Sequence, residues 1–229
     1  MSSLDALDAE LNAASQLPEL VPPLHALAKS AGLTNFAILR LRGASFEHLV
    51  QLVHSAPAPH ADTVENAGYW RSSSLIQTQL ARCMPQFYEG GPAPADVPGF
   101  EHGVITAMGE ARGVVMLVLA RSTPIAMDER LDIMRCAVIA LPRLEATLSR
   151  LQLAACPLSA RQLDALRHCL AGFTAAETGR ALNVGTRTVE EYLLRARQHL
   201  QVNNSLAAAM RAIDMGWLSL SEVQALLAA

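Results

Sequence analysis

Lysine is almost missing from this chain: Lys29 is the only one, so nearly all of the positive charge is arginine. No apolar run approaches the roughly 18–20 residues that a membrane span needs. Met1-Ser2-Ser3-Leu4-Asp5 lacks the basic start of a secretory signal, so the expected location is the cytoplasm, with no membrane partner. Cysteine is sparse as well. Cys83, Cys136, Cys156 and Cys169 form no C-x-x-C pair, which argues against a metal site or a disulfide framework and for buried free thiols. Catalytic signatures are also wanting. Ser72-Ser73-Ser74 sits in no G-x-S-x-G elbow, and Gly90-Gly91 lies among prolines rather than after a strand. His48, His54 and His60 recur every six residues, a spacing that strand or loop geometry does not converge on one ion. No enzyme, metal or cofactor is expected.

What is present suits two globular domains, with 229 residues of which 51% are hydrophobic. The stretch that organises the chain is Gly185-Thr186-Arg187-Thr188-Val189-Glu190-Glu191-Tyr192-Leu193. Upstream, Thr174-Ala175-Ala176-Glu177 has the spacing of a capping box. It opens a short helix to about Leu182, with Ala175, Ala176, Gly179 and Ala181 small enough to let a second helix cross closely. Asn183-Val184-Gly185 reads as a tight turn, with Gly185 expected where a cap or a positive φ is wanted. The next helix sets Val189, Leu193, Ala196 and Leu200 on one face, at offsets of 4, 3 and 4 residues.

That leaves Arg187, Glu190, Glu191, Leu194, Arg195 and Arg197 on the outer face, with the Thr188 hydroxyl beside Arg187. The pattern is a helix-turn-helix whose second helix enters the major groove of double-stranded DNA. Arg187, in the first turn, is placed to meet a phosphate together with the helix N-terminus. Glu190 and Glu191 either accept from cytosine N4 or repel the backbone and weaken binding. The bland reading of these charges is a solvated helix face. Residues 156–229 hold 7 basic against 6 acidic side chains, and residues 1–155 hold 11 against 15. Such a balance is weak for a DNA binder, whose affinity comes largely from neutralising phosphates.

Several residues then carry a resemblance. Leu158-Ser159-x-Arg161, Ala171 through Glu177, Thr188-Val189-x-x-x-Leu193, Leu200-x-Val202-x-Asn204, Ala208 and Gly216-Trp217-Leu218 resemble the LuxR/GerE-type four-helix DNA-binding domain. The likeness covers about sixty residues. Three positions depart from it: Gln162 stands where Glu is usual, Tyr192 where His is, and Ser205 where a basic residue is. The resemblance implies a homodimer on a two-fold symmetric DNA site, its fourth helix helping to pair the two domains. Beyond it, Ser219-x-x-Glu222 is a further capping box. An extra helix over residues 219–229 is expected to pack on its own domain or across the dimer.

Residues 4–31 read as helical, broken at Pro18, Pro22 and Pro23 and closed by Gly32. Phe36–Arg42 and His48–Val53 alternate as strands, turning through Gly43-Ala44-Ser45. Helix resumes near Asp62 and from Ser74 to Cys83, and residues 90–98 form a flexible connector. Gly103–Met108 and Gly113–Ala120 form a hairpin, the second strand apolar on both faces. Met127–Leu153 is one long helix, interrupted or kinked at Pro142, and it leads through a linker at 154–157 into the helix-turn-helix.

The expected fold is therefore α+β. An α/β/α sandwich of the PAS/GAF-like kind spans 1–153, and the helix-turn-helix domain spans 158–218. Gly68-Tyr69-Trp70, Leu75-Ile76, Phe87-Tyr88 and the 103–120 hairpin make the first module similar to the autoinducer-binding domain of LuxR-type quorum-sensing regulators. In that family a Trp, a Tyr and an Asp anchor an acyl-homoserine lactone. Here the resemblance puts His60, Val64 and Ser73 at those positions, and Tyr88 where a second Trp is usual. Val64 has no donor, and Ser73 is uncharged and a weaker acceptor than a carboxylate. Each unpaired ligand amide costs about 1–3 kcal/mol. His60, Val64, Tyr69, Trp70, Ser73 and Tyr88 thus line a changed pocket, for an unknown small-molecule signal, or belong to a core that fills it. The reading is a LuxR-type regulator that does not answer ordinary lactones. Two others stand beside it. One is an anti-activator that heterodimerises with another LuxR-type regulator. The other is a lactone receptor with non-standard anchors.

Overall fold

The computed structural model describes residues 3–42, 48–65, 73–82, 84–90, 97–110 and 113–228. Packing divides the chain into two units, Met1–Leu151 and Gln152–Ala229. Among the described residues no helix is long and apolar enough to cross a membrane.

The first unit begins with α1 (Ser3–Ala13), a 3-10 turn at Leu17–Leu20 and α2 (Val21–Ser30). Pro22 and Pro23 do not break this helix. They fall in the first turn of α2, where their missing N–H groups would have had no helical partner anyway. Gly32 follows α2 at φ 71°, a left-handed conformation that glycine takes without strain. Next come β1 (Asn35–Arg42), β2 (His48–His54), a 3-10 turn at Ala58–His60, α3 (Ala61–Glu65) and α4 (Ser74–Arg82). The unit continues with β3 (Gln86–Glu89), β4 (His102–Glu110), β5 (Gly113–Arg121) and the long α5 (Arg130–Ala154). The turns expected at 43–45 and 111–112, and most of the connector, lie outside the described residues.

The strands form one antiparallel sheet in the order β2-β1-β5-β4-β3, with a bulge where Arg40 and Leu41 of β1 face Gln51 and Leu49 of β2. The sequence suggests four strands. The fifth, β3, has four residues, too few for a two-residue alternation to announce it. Phe36, Ile38, Val104, Val115, Leu117 and Leu119 pack with Leu7, Leu11, Leu24, Ile133, Leu144 and Leu148 of α1, α2 and α5. Ala37, Leu39, Ile105, Met116 and Val118 cluster instead with Val64 of α3 and Ile76 of α4. Helices on both faces make the α/β/α sandwich and explain why β5 is apolar and buried from Val114 to Ala120. Pro142 lies inside α5 without ending it. It sits on the exposed side, where the Val138 carbonyl, deprived of its helical donor, is close to water.

One cation is built into the first core. Arg40 is 0% exposed. Its Nη1 donates to Gln51 Oε1 at 3.0 Å, and its Nη2 donates to Ser149 Oγ at 2.8 Å and to Glu145 Oε1 at 3.3 Å. Gln51 Nε2 donates in turn to the Leu148 carbonyl at 3.1 Å. β1, β2 and α5 therefore share a single ion-paired network.

A second ion pair closes the turn before α5. Arg121 donates to both carboxylate oxygens of Glu129 and to the carbonyls of Gly32, Thr123 and Pro124. The Arg121 hydrogen bonds, with a further one from the Ala126 N–H, hold the Glu129 carboxyl down to about 2 from its ordinary 4.5. A depressed carboxyl stabilises the fold fully above its unfolded value and loses that contribution as pH falls through the folded one. Glu129→Gln is therefore expected to flatten the fall in melting temperature between about pH 4.5 and pH 2. Parallel melting curves for variant and parent across that window would contradict this.

The second unit comprises α6 (Ala160–Leu170), α7 (Ala175–Leu182), α8 (Thr186–His199), α9 (Ser205–Asp214) and α10 (Leu220–Leu227). Side-chain caps explain four of the helix starts. Ser159 with Gln162, Thr174 with Glu177 and Ser219 with Glu222 form complete capping boxes, and Asn204 caps α9. Gln162 thus does what the usual Glu would do, its Oε1 accepting from the Ser159 N–H at 2.8 Å. Leu158, Leu166, Ala196, Leu200, Ala208, Ala209, Ala212, Trp217 and Leu218 form the core. Trp217 Nε1 donates to the Gln152 carbonyl at 3.0 Å, and Gln152 Nε2 returns a bond to the Met215 carbonyl at 2.8 Å. α10 packs against α6 of its own domain, with Val223 buried and Glu222 3.9 Å from Arg167.

Cys136, Cys156 and Cys169 are free thiols, half-buried rather than buried, and desolvation pushes each one up from its ordinary value. Cys83 lies outside the described residues.

Candidate nucleic-acid interface

The geometry of the α7–α8 pair is set by three residues. Asn183 ends α7 at φ 55°, and Gly185 precedes α8 at φ −71°. Gly185 is thus the N-cap of α8, one of the two roles expected of it, and the left-handed position falls on Asn183. Asparagine tolerates it because its short polar side chain can bond locally. Gly179 provides the close approach: a Cβ there would stand 2.8 Å from the Val184 carbonyl oxygen. The Val184 N–H also donates to the Gly179 carbonyl at 2.9 Å. Ala176 and Ala181 are exposed, so the tight crossing rests on the glycine rather than on a general run of small residues.

Val189 and Ala196 are 0% exposed and Leu200 is 5% exposed, with Leu193 partly buried beside them. This fixes the rotation of α8. Arg187, Glu190, Glu191, Leu194 and Arg195 are exposed, while Thr188 and Arg197 are half-buried at the flanks. Gly185 offers no side chain to cap the first turn of α8. The N–H groups of that turn therefore carry the positive end of the helix dipole beside Arg187. Glu191 and Arg195 are joined by a side-chain hydrogen bond and ion pair one turn apart. Sequence spacing allows that contact but does not announce it. Its effect is to offset one of the positive charges on this face.

The residues expected to line a pocket in the first unit are distributed differently. His60 ends the 3-10 turn and is partly exposed. Val64 is 2% and Tyr88 8% exposed, and both belong to the core cluster on the α3/α4 side of the sheet. Ser73 is 5% exposed and stands at the head of α4, its Oγ accepting from the Ile76 N–H at 3.4 Å. The Tyr88 ring lies across Gly103 on the neighbouring strand, where a Cβ would come within 2.6 Å of the phenol oxygen. Only glycine leaves room for the ring there. Tyr69 and Trp70 lie outside the described residues. Val64 and Tyr88 are thus brought into one cluster, and Ser73 caps the helix that supplies Ile76 to it.

Residues 156–212 match the family model of bacterial regulatory proteins of the luxR family, GerE. The transcriptional activator protein AnoR of Acinetobacter nosocomialis is 41% identical over 61 residues, which is 27% of this chain and 26% of that protein. The matched stretch therefore spans about a quarter of that relative's length. Over most of the chain the likeness is one of fold. A crystal structure of Escherichia coli SdiA superimposes with a TM-score of 0.62 at 14% identity, covering 93% of this chain and 96% of that one. SdiA in complex with octanoyl-rac-glycerol gives 0.58 at 15% identity, covering 93% and 94%. CepR2 of Burkholderia cenocepacia, described as an N-acylhomoserine lactone dependent LuxR family transcription factor, gives 0.52 at 20% identity over 62% of this chain and 96% of that one.

Proposed function

We propose that this chain, whose residues 156–212 are a LuxR-family regulatory domain, is a cytoplasmic transcriptional regulator that binds double-stranded DNA as a homodimer. The observation that carries this reading is the outer face of α8. A buried stripe of Val189, Leu193, Ala196 and Leu200 turns Arg187, Leu194 and Arg195 outward, on a helix preceded by a tight turn and an uncapped start. That is how a helix-turn-helix presents a reading surface to the major groove.

The signal side of the reading is narrower. Positions that would anchor a lactone are occupied by His60, Val64 and Ser73, and two of these three are buried among or beside apolar core residues. Ser73 Oγ accepts from the Ile76 N–H at the start of α4. The amino-terminal unit is therefore a regulator module that does not respond to ordinary acyl-homoserine lactones. Any signal it takes has a different polar pattern. A second reading is favoured by one observation, the exposed Glu190 and Glu191 on the same face. A chain that pairs with another LuxR-type regulator and brings two carboxylates to the DNA side would block it.

Selection of genomic fragments by the purified full chain, without lactone and at near-physiological salt, separates these readings. The expected result is enrichment of a two-fold symmetric site. Enrichment only after a lactone or octanoyl-glycerol is added would overturn the altered-pocket reading and leave the regulator. No enrichment under any of these conditions would favour the blocking partner.

A further inference from the structure

The acidic residues on α8 are not placed at random. At 100° per residue the outermost stripe of this helix is Arg187, Glu191, Leu194 and Gln198, all exposed. Glu191 thus stands at the centre of the face, with Glu190 toward its edge. In a major groove the centre of such a helix meets base edges, whereas the flanks meet phosphates. A carboxylate at the centre is therefore tested against what the bases present. Guanine offers only acceptors there and thymine an acceptor and a methyl, so both disfavour it. Adenine offers an N6 donor but sets the N7 acceptor beside it. Cytosine N4 alone is a donor with no adjacent acceptor on its own base.

The ion pair with Arg195 supports the same assignment. Both side chains are more than half exposed, at 59% for Arg195 and 53% for Glu191. An exposed pair of this spacing adds little to stability, so its consequence is geometric. Arg195 Nη2 engages Glu191 Oε1 and leaves Oε2 as an acceptor. We propose that Glu191 is a specificity-determining residue, its Oε2 accepting from a cytosine N4 amino group while Arg195 holds the carboxylate in place. This rests on the regulator reading given above.

The test compares the full-length chain with Glu191→Gln, first by selection from a random duplex pool and then by titration of the recovered site and of an unrelated duplex. Sites recovered by the parent are expected to carry cytosine at one position in each half. The variant is expected to lose that preference or shift it to adenine, which a glutamine amide reads in bidentate fashion. Its affinity for the cytosine-bearing site should fall by about tenfold, the usual order for one lost base contact, while binding to the unrelated duplex rises. Unchanged base preference, with both affinities rising together, would show that Glu191 merely repels phosphate and would overturn the assignment. Recovered sites with no fixed cytosine would overturn it equally. Failure of the parent to recover any site is a separate outcome, because it removes the regulator reading itself. The exposed position makes loss of folding by the glutamine variant a minor concern, and a melting curve checks it.

Discussion

Arg40→Ala is expected to lower the unfolding free energy of the first unit by about 3–5 kcal/mol, the cost of removing one partner from a buried ion pair. The reason lies in what remains. Gln51, 5% exposed, loses its donor, and Glu145 keeps a carboxylate that is only 19% exposed. Ser149 Oγ, which donates to Glu145 Oε1 at 2.6 Å, does not replace a guanidinium. The loss is large against the total stability of a domain, typically about 5–15 kcal/mol. Replacing the whole network tells a different story. Arg40→Met combined with Gln51→Leu and Glu145→Leu is expected to be near neutral or stabilising, because the desolvation cost of the charges disappears with them. Denaturant titration of both variants checks this. A single variant within about 1 kcal/mol of the parent would mean that the network contributes little.

Trp217→Ala is the other substitution with a large expected effect. Trp217 is 7% exposed in the core of the second unit, and its indole N–H satisfies the Gln152 carbonyl. Truncation leaves a cavity and an orphaned acceptor, for a cost of about 3–5 kcal/mol. For a domain of this size each kcal/mol lowers the melting temperature by roughly 4–8 °C. Trp217→Phe keeps most of the apolar area and loses one hydrogen bond, so about 1 kcal/mol is expected. The contrast separates packing from polar satisfaction. Equal melting temperatures for the two variants would mean that the hydrogen bond, not the ring, carries the effect.

The helix-turn-helix was legible because its signals are local. Thr174 with Glu177 and Ser219 with Glu222 are read three residues apart, and each is a formed capping box. The stripe of α8 depends on a period of 3.6 residues and nothing else. What escaped depends on partners distant in sequence. Arg40 falls on the same face of β1 as Phe36 and Ile38, and its burial there depends on α5, distant in sequence. β3 exists because Tyr88 pairs with Gly103, a contact that four residues of sequence cannot specify. The prolines at 22 and 23 were misleading, because the same residue that ends one helix starts another. Asn183 was overlooked because a neighbouring glycine looks the better candidate for a positive φ. The left-handed residue lies two positions earlier, where the close approach of Gly179 to Val184 tightens the turn.

The Gln152–Trp217 bond carries a lesson for anyone joining either unit to a unit of another protein. Residues 154–157 invite a splice, since they look like a hinge with nothing to lose. A chimera joined there would give the foreign first unit's final helical turn the task of accepting from an indole and donating to the Met215 carbonyl. Any donor protein whose last turn cannot do both would leave the second unit with a loosened keystone. The seam that respects the chemistry lies before Gln152, inside the helix.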